Sequence, residues 1–209
     1  IYKAISKFEN AGMILSGRFY QNIISKEKVN IVPEGYHNKI QIIDFFKNPH
    51  VFAHISATVI RRKTVVEKIN SWGGFIENQK SNEDFVFLFR NALHNEVVYL
   101  GYPLAIYNGG IAGQATSELS KELKLRDSIL YHNKVVEEWI SCKRNSENFK
   151  IFKKYEIRHI WYTYLKSNQY KEILFFLDNM HQEYYSFFSR LELSLLKNRS
   201  LNKLSQFYI

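Results

Sequence analysis

All three prolines of this 209-residue chain, Pro33, Pro49 and Pro103, lie before Glu118. A proline removes a backbone donor and breaks a helix interior. The first 120 residues alternate short β-type runs with helices, and the last 89, with no proline, are free to form long helices. The spacing agrees. Leu130–Ile140, Ile151–Leu165 and Ile173–Leu196 read as helices. Ile157, Ile160, Trp161, Tyr164 and Leu165 fall on one stripe. Ile173, Leu177, Met180, Tyr184, Phe188, Leu191 and Leu195 fall on another, as core faces of packed helices do. No strand pattern follows Glu118.

The first part alternates strands and helices. Ile1–Phe8 reads as the end of a helix, and its start inside a helical run leads us to expect polypeptide before it. Gly12–Tyr20 reads as a strand, and Pro33–Gly35 marks a turn. Ile40–Lys47 has the spacing of a short helix stopped before Pro49. Val51–Ile60 is β-branched and apolar, which predicts a buried strand. Arg61–Asn70 reads as a short helix and Glu83–Leu93 as another, through Phe85, Leu88, Phe89 and Leu93. Glu96–Tyr107 reads as one long irregular strand or as a pair bent at Pro103. Asn108–Ser117 is a Gly-rich polar loop. The fold class is mixed α/β with three to five strands, divided into 1–120 and a helical 121–209.

Composition excludes several classes. Hydrophobic residues make up 45% and charged residues 23%, which argues for a packed globular chain over disorder. Cys142 is the single cysteine, so no intramolecular disulfide forms. Its neighbours Lys143 and Arg144 leave open a reactive thiol beside a plain one. No stretch of about 20 apolar residues exists to span a membrane. The net charge is +9, and residues 121–209 hold 16 Lys and Arg against 10 Asp and Glu. Those charges are spread and the aromatics fall on apolar stripes, which argues against nucleic acid. Peripheral contact with an anionic membrane surface is a second reading of that charge. A basic helical module that binds nucleic acid or a protein partner is the non-enzymatic alternative.

The residues that suggest chemistry lie between Phe52 and Ser117. They are HISATVIRR at His54–Arg62, WGGF at Trp72–Phe75, NED at Asn82–Asp84, and VYLGYPLAIYNGG at Val98–Gly110. A carboxylate at a helix start is favoured by the positive helix end. There it can take a proton from a hydroxyl within hydrogen-bond reach. Asn82 and Glu83 also suit a plain helix cap. Gly73–Gly74 permits either a close backbone approach to a ligand or a tight bend. Arg61 and Arg62 can clamp a diphosphate or stay solvated.

In order and spacing these segments resemble the second half of an inverting, GT-A-type family 2 glycosyltransferase. The resemblance covers roughly residues 1–120 and says nothing of the helical tail. It implies that Asp84 is the catalytic base and that Glu83 helps to position the acceptor. It places Gly73 and Gly74 beside the sugars, with His54, Arg61 and Tyr107 among the substrate-binding residues; Trp72 can stack on a sugar face or be buried. The Asn108–Ser117 loop would close over a nucleotide-sugar. The acceptor would be a glycan or a lipid-linked glycan, and the location cytoplasmic at the inner face of a membrane. The family's Mg²⁺ or Mn²⁺ sits on an Asp-x-Asp motif. None occurs here, so the resemblance implies that the metal ligands and the donor-binding half precede Ile1.

Overall fold

The computed structural model describes residues 1–68, 73–109, 119–142 and 146–197. It is mixed α/β, a curled mixed sheet of five strands with helices. In chain order the elements are α1 (Tyr2–Lys7), β1 (Ala11–Asn22), β2 (Lys28–Ile31), β3 (Ile40–Ile43), α2 (Pro49–Phe52), β4 (Thr58–Ile60) and α3 (Arg62–Val66). Then come α4 (Glu83–His94), β5 (Glu96–Gly109), α5 (Lys121–Ser141), α6 (Glu147–Lys166), α7 (Tyr170–Asn179) and α8 (Arg190–Lys197).

Two long parallel strands, β1 and β5, form the spine of the sheet. The outer edge of β1 is shared between two short antiparallel partners. β4 takes Met13–Leu15 and β2 takes Arg18–Gln21. β3 pairs antiparallel with the first half of β5, Ile43 opposite Val97 and Ile40 opposite Leu100. Successive side chains then separate to the two faces. Met13, Leu15, Val97 and Tyr99 join Leu88, Phe89 and Leu93 of α4 in the main core. Ile14, Val98 and Leu100 point the other way, onto Ala4 of α1. That second face is thinly covered, and Ile42, Val59, Leu104 and Ile106 are exposed.

β5 runs through Pro103 as one strand, with register shifts opposite Ser16–Arg18. Gly101 makes the bend sterically possible. A Cβ there would lie 1.6 Å from the Tyr36 carbonyl oxygen. The close approach is used, because Asn38 N donates to Gly101 O and Gly101 N donates to Lys39 O.

Three expected elements differ. Ile40–Lys47 is β3 followed by a 3₁₀ turn at Phe45–Lys47, not a helix. The unpaired edge of β5 gives Ile40–Ile43 backbone partners, and Asp44 caps the turn by accepting from Phe46 N. Val51–Ile60 is not one strand. Pro49 at the first helical position starts α2, a 3₁₀ turn covers Ile55–Ala57, and only Thr58–Ile60 pairs. Ile173–Leu196 is interrupted after Asn179. There Asn133 donates to Asn179 O and accepts from His181 N, so α5 holds the break.

Ser120 and Ser146 cap α5 and α6, each accepting from the amide three residues on. α5 serves two cores. Tyr131 and Val135 join Phe149 under the sheet-and-α4 core, while Leu125, Ile129 and Val136 meet Ile157, Trp161 and Leu165 of α6 and Ile173 and Leu177 of α7.

Candidate active site

Asp84 lies in the first turn of α4, as its helix spacing predicts. Asn82 sits in the left-handed region with φ 58° and its side chain does not cap the helix. Asp84 Oδ1 instead accepts from Phe85 N at 2.8 Å. Burial raises the Asp84 pKa from the ordinary aspartate value. The Phe85 amide opposes this, and the charge of neighbouring Glu83 adds to it. A carboxyl shifted upward is better matched to taking a proton near neutral pH.

The loop that presents this turn is fixed from a distance. Asp127, buried in α5, accepts at one oxygen from Lys80 N (2.9 Å), Ser81 N (2.6 Å) and Ser81 Oγ (3.1 Å). Gln79 Nε2 donates to Ser81 O at 2.8 Å. No local spacing pointed to Asp127, which is more than forty positions from the motif it holds.

Of the WGGF turn, Trp72 lies outside the described residues. At Gly73 a Cβ would meet Val65 O at 2.7 Å, so the close approach there is to the chain's own α3. Gly74 O accepts from Arg90 Nη1 at 3.4 Å. Arg90 also bonds Glu138 at 3.1 Å, and His94 Nε2 shares that carboxylate at 2.8 Å. Phe75 stacks on Phe87 with ring centroids 4.3 Å apart. One helix, α4, thus carries Asp84 at its start and holds the Gly-Gly turn along its flank.

His54 and Tyr107 are brought together, their ring centroids 4.9 Å apart. Tyr20 lies 6.0 Å from Tyr107, ring centroid to ring centroid. Burial, helped by the charge of Arg18, lowers the His54 pKa from 6.5 to about 4, so its ring is neutral at pH 7. Arg18 is the cation of this cluster, and sequence reasoning did not single it out. The signal available was one arginine inside an otherwise apolar strand. α2 links the cluster to Asp84. Its Val51 carbonyl accepts from Arg18 at 3.1 Å, and the His50 ring meets Phe85, beside Asp84, at 5.9 Å.

Arg61 is not part of this cluster. Its Nε donates to Ala11 O and its Nη2 to Glu9 O, and its own amide bonds Gly12 O. Tyr107 pairs with Tyr20, eight residues along β1 from Gly12. That is roughly 25 Å of strand, so Arg61 ties down the opposite end of the sheet.

Behind α4 lies a buried polar network. Lys153 is fully buried, and its Nζ donates to Glu156 at 2.7 Å and to Tyr131 Oη at 3.0 Å. Glu156 also faces His132 and His50. Burial alone would raise the Glu156 pKa, but Lys153 and His132 outweigh it and the net shift is downward. Tyr131 is pushed well above its ordinary value by burial first, then by Glu156, with a smaller contribution from Asp84.

Among the described residues no group of three or more His, Cys, Asp or Glu could hold a metal ion. Cys142 is half-buried, with its thiol directed at Trp139 O, and Lys143 and Arg144 lie outside the described residues, as do residues 110–117 of the expected loop. No helix of the described residues is long and apolar enough to cross a membrane. Compared with protein-family models, curated proteins and solved structures, the chain matches none.

Proposed function

We propose that residues 1–120 are the acceptor-side half of an inverting, GT-A-type family 2 glycosyltransferase, followed by a helical region at 121–209. Asp84 is its general base. As the acceptor hydroxyl oxygen attacks the anomeric carbon of a nucleotide-sugar, the proton passes to Asp84. The bond from that carbon to the diphosphate breaks, and its electron pair leaves with the nucleotide. The observation that carries this reading is the placement of Asp84, half-buried in the first turn of α4 with its pKa raised. Glu83 lies beside it to orient the acceptor, a glycan or lipid-linked glycan, and His54 and Tyr107 are further substrate-binding residues.

On this reading the donor-binding half and its Mg²⁺ or Mn²⁺ ligands are supplied from outside these 209 residues. Support comes from the second face of the sheet, where Ile42, Val59, Leu104 and Ile106 offer apolar surface for further chain to cover. The protein would act in the cytoplasm, peripheral to the inner face of a membrane.

The test is Asp84→Asn in the protein joined to its donor-binding half. General-base catalysis contributes about 10²–10⁴-fold, so transfer should fall by that factor while donor binding is unchanged. Normal turnover in the variant would remove Asp84 from the role. Tight binding of a uridine-diphosphate sugar by the 209 residues alone would refute the missing donor half.

A further inference from the structure

Three arginines among the described residues are withdrawn at least partly from solvent: Arg18, Arg90 and Arg158. Arg90 pairs with Glu138, and Arg158 with Glu192. Arg18 has no carboxylate partner among the described residues. Its recorded bond is to the neutral Val51 carbonyl. Desolvating a guanidinium without an opposing charge is unfavourable, and most buried cations are paired for that reason. The surroundings of Arg18 are phenols and an imidazole. Tyr99 and Tyr107 are close enough to bias its charge, and His54 feels that charge in turn. The Nδ1 atom of His54 is buried and has no hydrogen-bond partner among the described residues. A buried polar atom left unsatisfied calls for a partner. Tyr107 is 39% exposed, so an aromatic ring borders these polar groups at the surface.

We infer that Arg18, His54, Tyr20 and Tyr107 form a binding site for an anionic sugar, whose phosphate or carboxylate meets Arg18 and His54 and whose ring packs on the tyrosines. A guanidinium fork matches either oxyanion with two parallel hydrogen bonds. Tyrosine rings offer a rigid apolar surface with a polar tip, suited to the mixed faces of a sugar. The anion half of the assignment rests on Arg18 and His54 alone. The sugar half rests on the transferase reading, in which this is the charged group of the acceptor.

Binding is measured on the 209-residue chain by NMR titration with glucose 1-phosphate, glucuronate, inorganic phosphate and glucose. At least one anionic sugar should bind saturably, about tenfold or more tighter than glucose or phosphate, and the tighter of the two names the anion. Arg18→Gln should weaken it about tenfold or more, while Arg126→Gln on the exposed side of α5 should not. Tyr107→Ala should weaken glucose 1-phosphate or glucuronate and leave phosphate unchanged, which decides the matter if Arg18→Gln does not fold. Absence of saturable binding, phosphate binding as tight as the sugars, or a folded Arg18→Gln that binds normally overturns the assignment. The titration needs no turnover, so a failure of Asp84 as base is read separately.

Discussion

Removing the Asp127 carboxylate should loosen the candidate active site without touching it. Three donors converge on one oxygen of a side chain that is 5% exposed. They are not equal in cost. Lys80 is exposed, so its amide can turn to water, and Ser81 Oγ can rotate. The Ser81 amide is buried and would be orphaned, and a buried donor without its charged acceptor costs about 1–3 kcal/mol. With smaller losses from the other two bonds, Asp127→Ala should destabilise the fold by about 3 kcal/mol. Asp127→Asn keeps an acceptor oxygen and should cost about 1 kcal/mol. Urea unfolding followed by circular dichroism gives both numbers, and hydrogen exchange should show the Ser81 amide losing protection in the Ala variant. Asp127→Ala within about 0.5 kcal/mol of the parent would refute the reasoning, since surface substitutions lie in that range. So would Asp127→Asn if it were as damaging as Ala.

Lys153→Met should cost about 3–5 kcal/mol, because Glu156 would lose its pairing charge while remaining buried. Adding Glu156→Leu should restore a large part of it, and a single variant as stable as the parent would show that the pair is dispensable. His54 should titrate by NMR with a midpoint near 4, not 6.5. Between those values the unfolded chain binds more protons than the folded one, so stability falls as pH falls from about 6.5 to 4. His132, lowered to about 3 by burial and Lys153, carries the same trend further down. A His54 midpoint near 6.5 would show that Arg18 and burial do not act on the ring.

What could be read before folding was local. α4 was legible because Phe85, Leu88, Phe89 and Leu93 recur at helical spacing behind an acidic start. β1 and the long irregular β5 were legible from apolar and β-branched runs, and the helical second part from its stripes. Ile40–Lys47 was misread because four residues of mixed apolar spacing suit either period, and the partner edge on β5 lies more than fifty residues away. Val51–Ile60 was misread because a β-branched run says nothing of how much edge is free. On β1 the length available to β4 is three residues.

The amino-acid sequence by itself determined the mixed class, the helical tail and an acidic pair at a helix start, since each follows from propensity and period within a few turns. Tertiary structure decided what those residues meet. It tied the NED loop to Asp127, drew Arg61 away to the start of β1, left Arg18 beside His54 and Tyr107 with no carboxylate among the described residues, and sealed Lys153 against Glu156. Hydrogen bonds and ion pairs act over a few ångströms, and the partners in each case come together through strand pairing and helix packing that no local window contains.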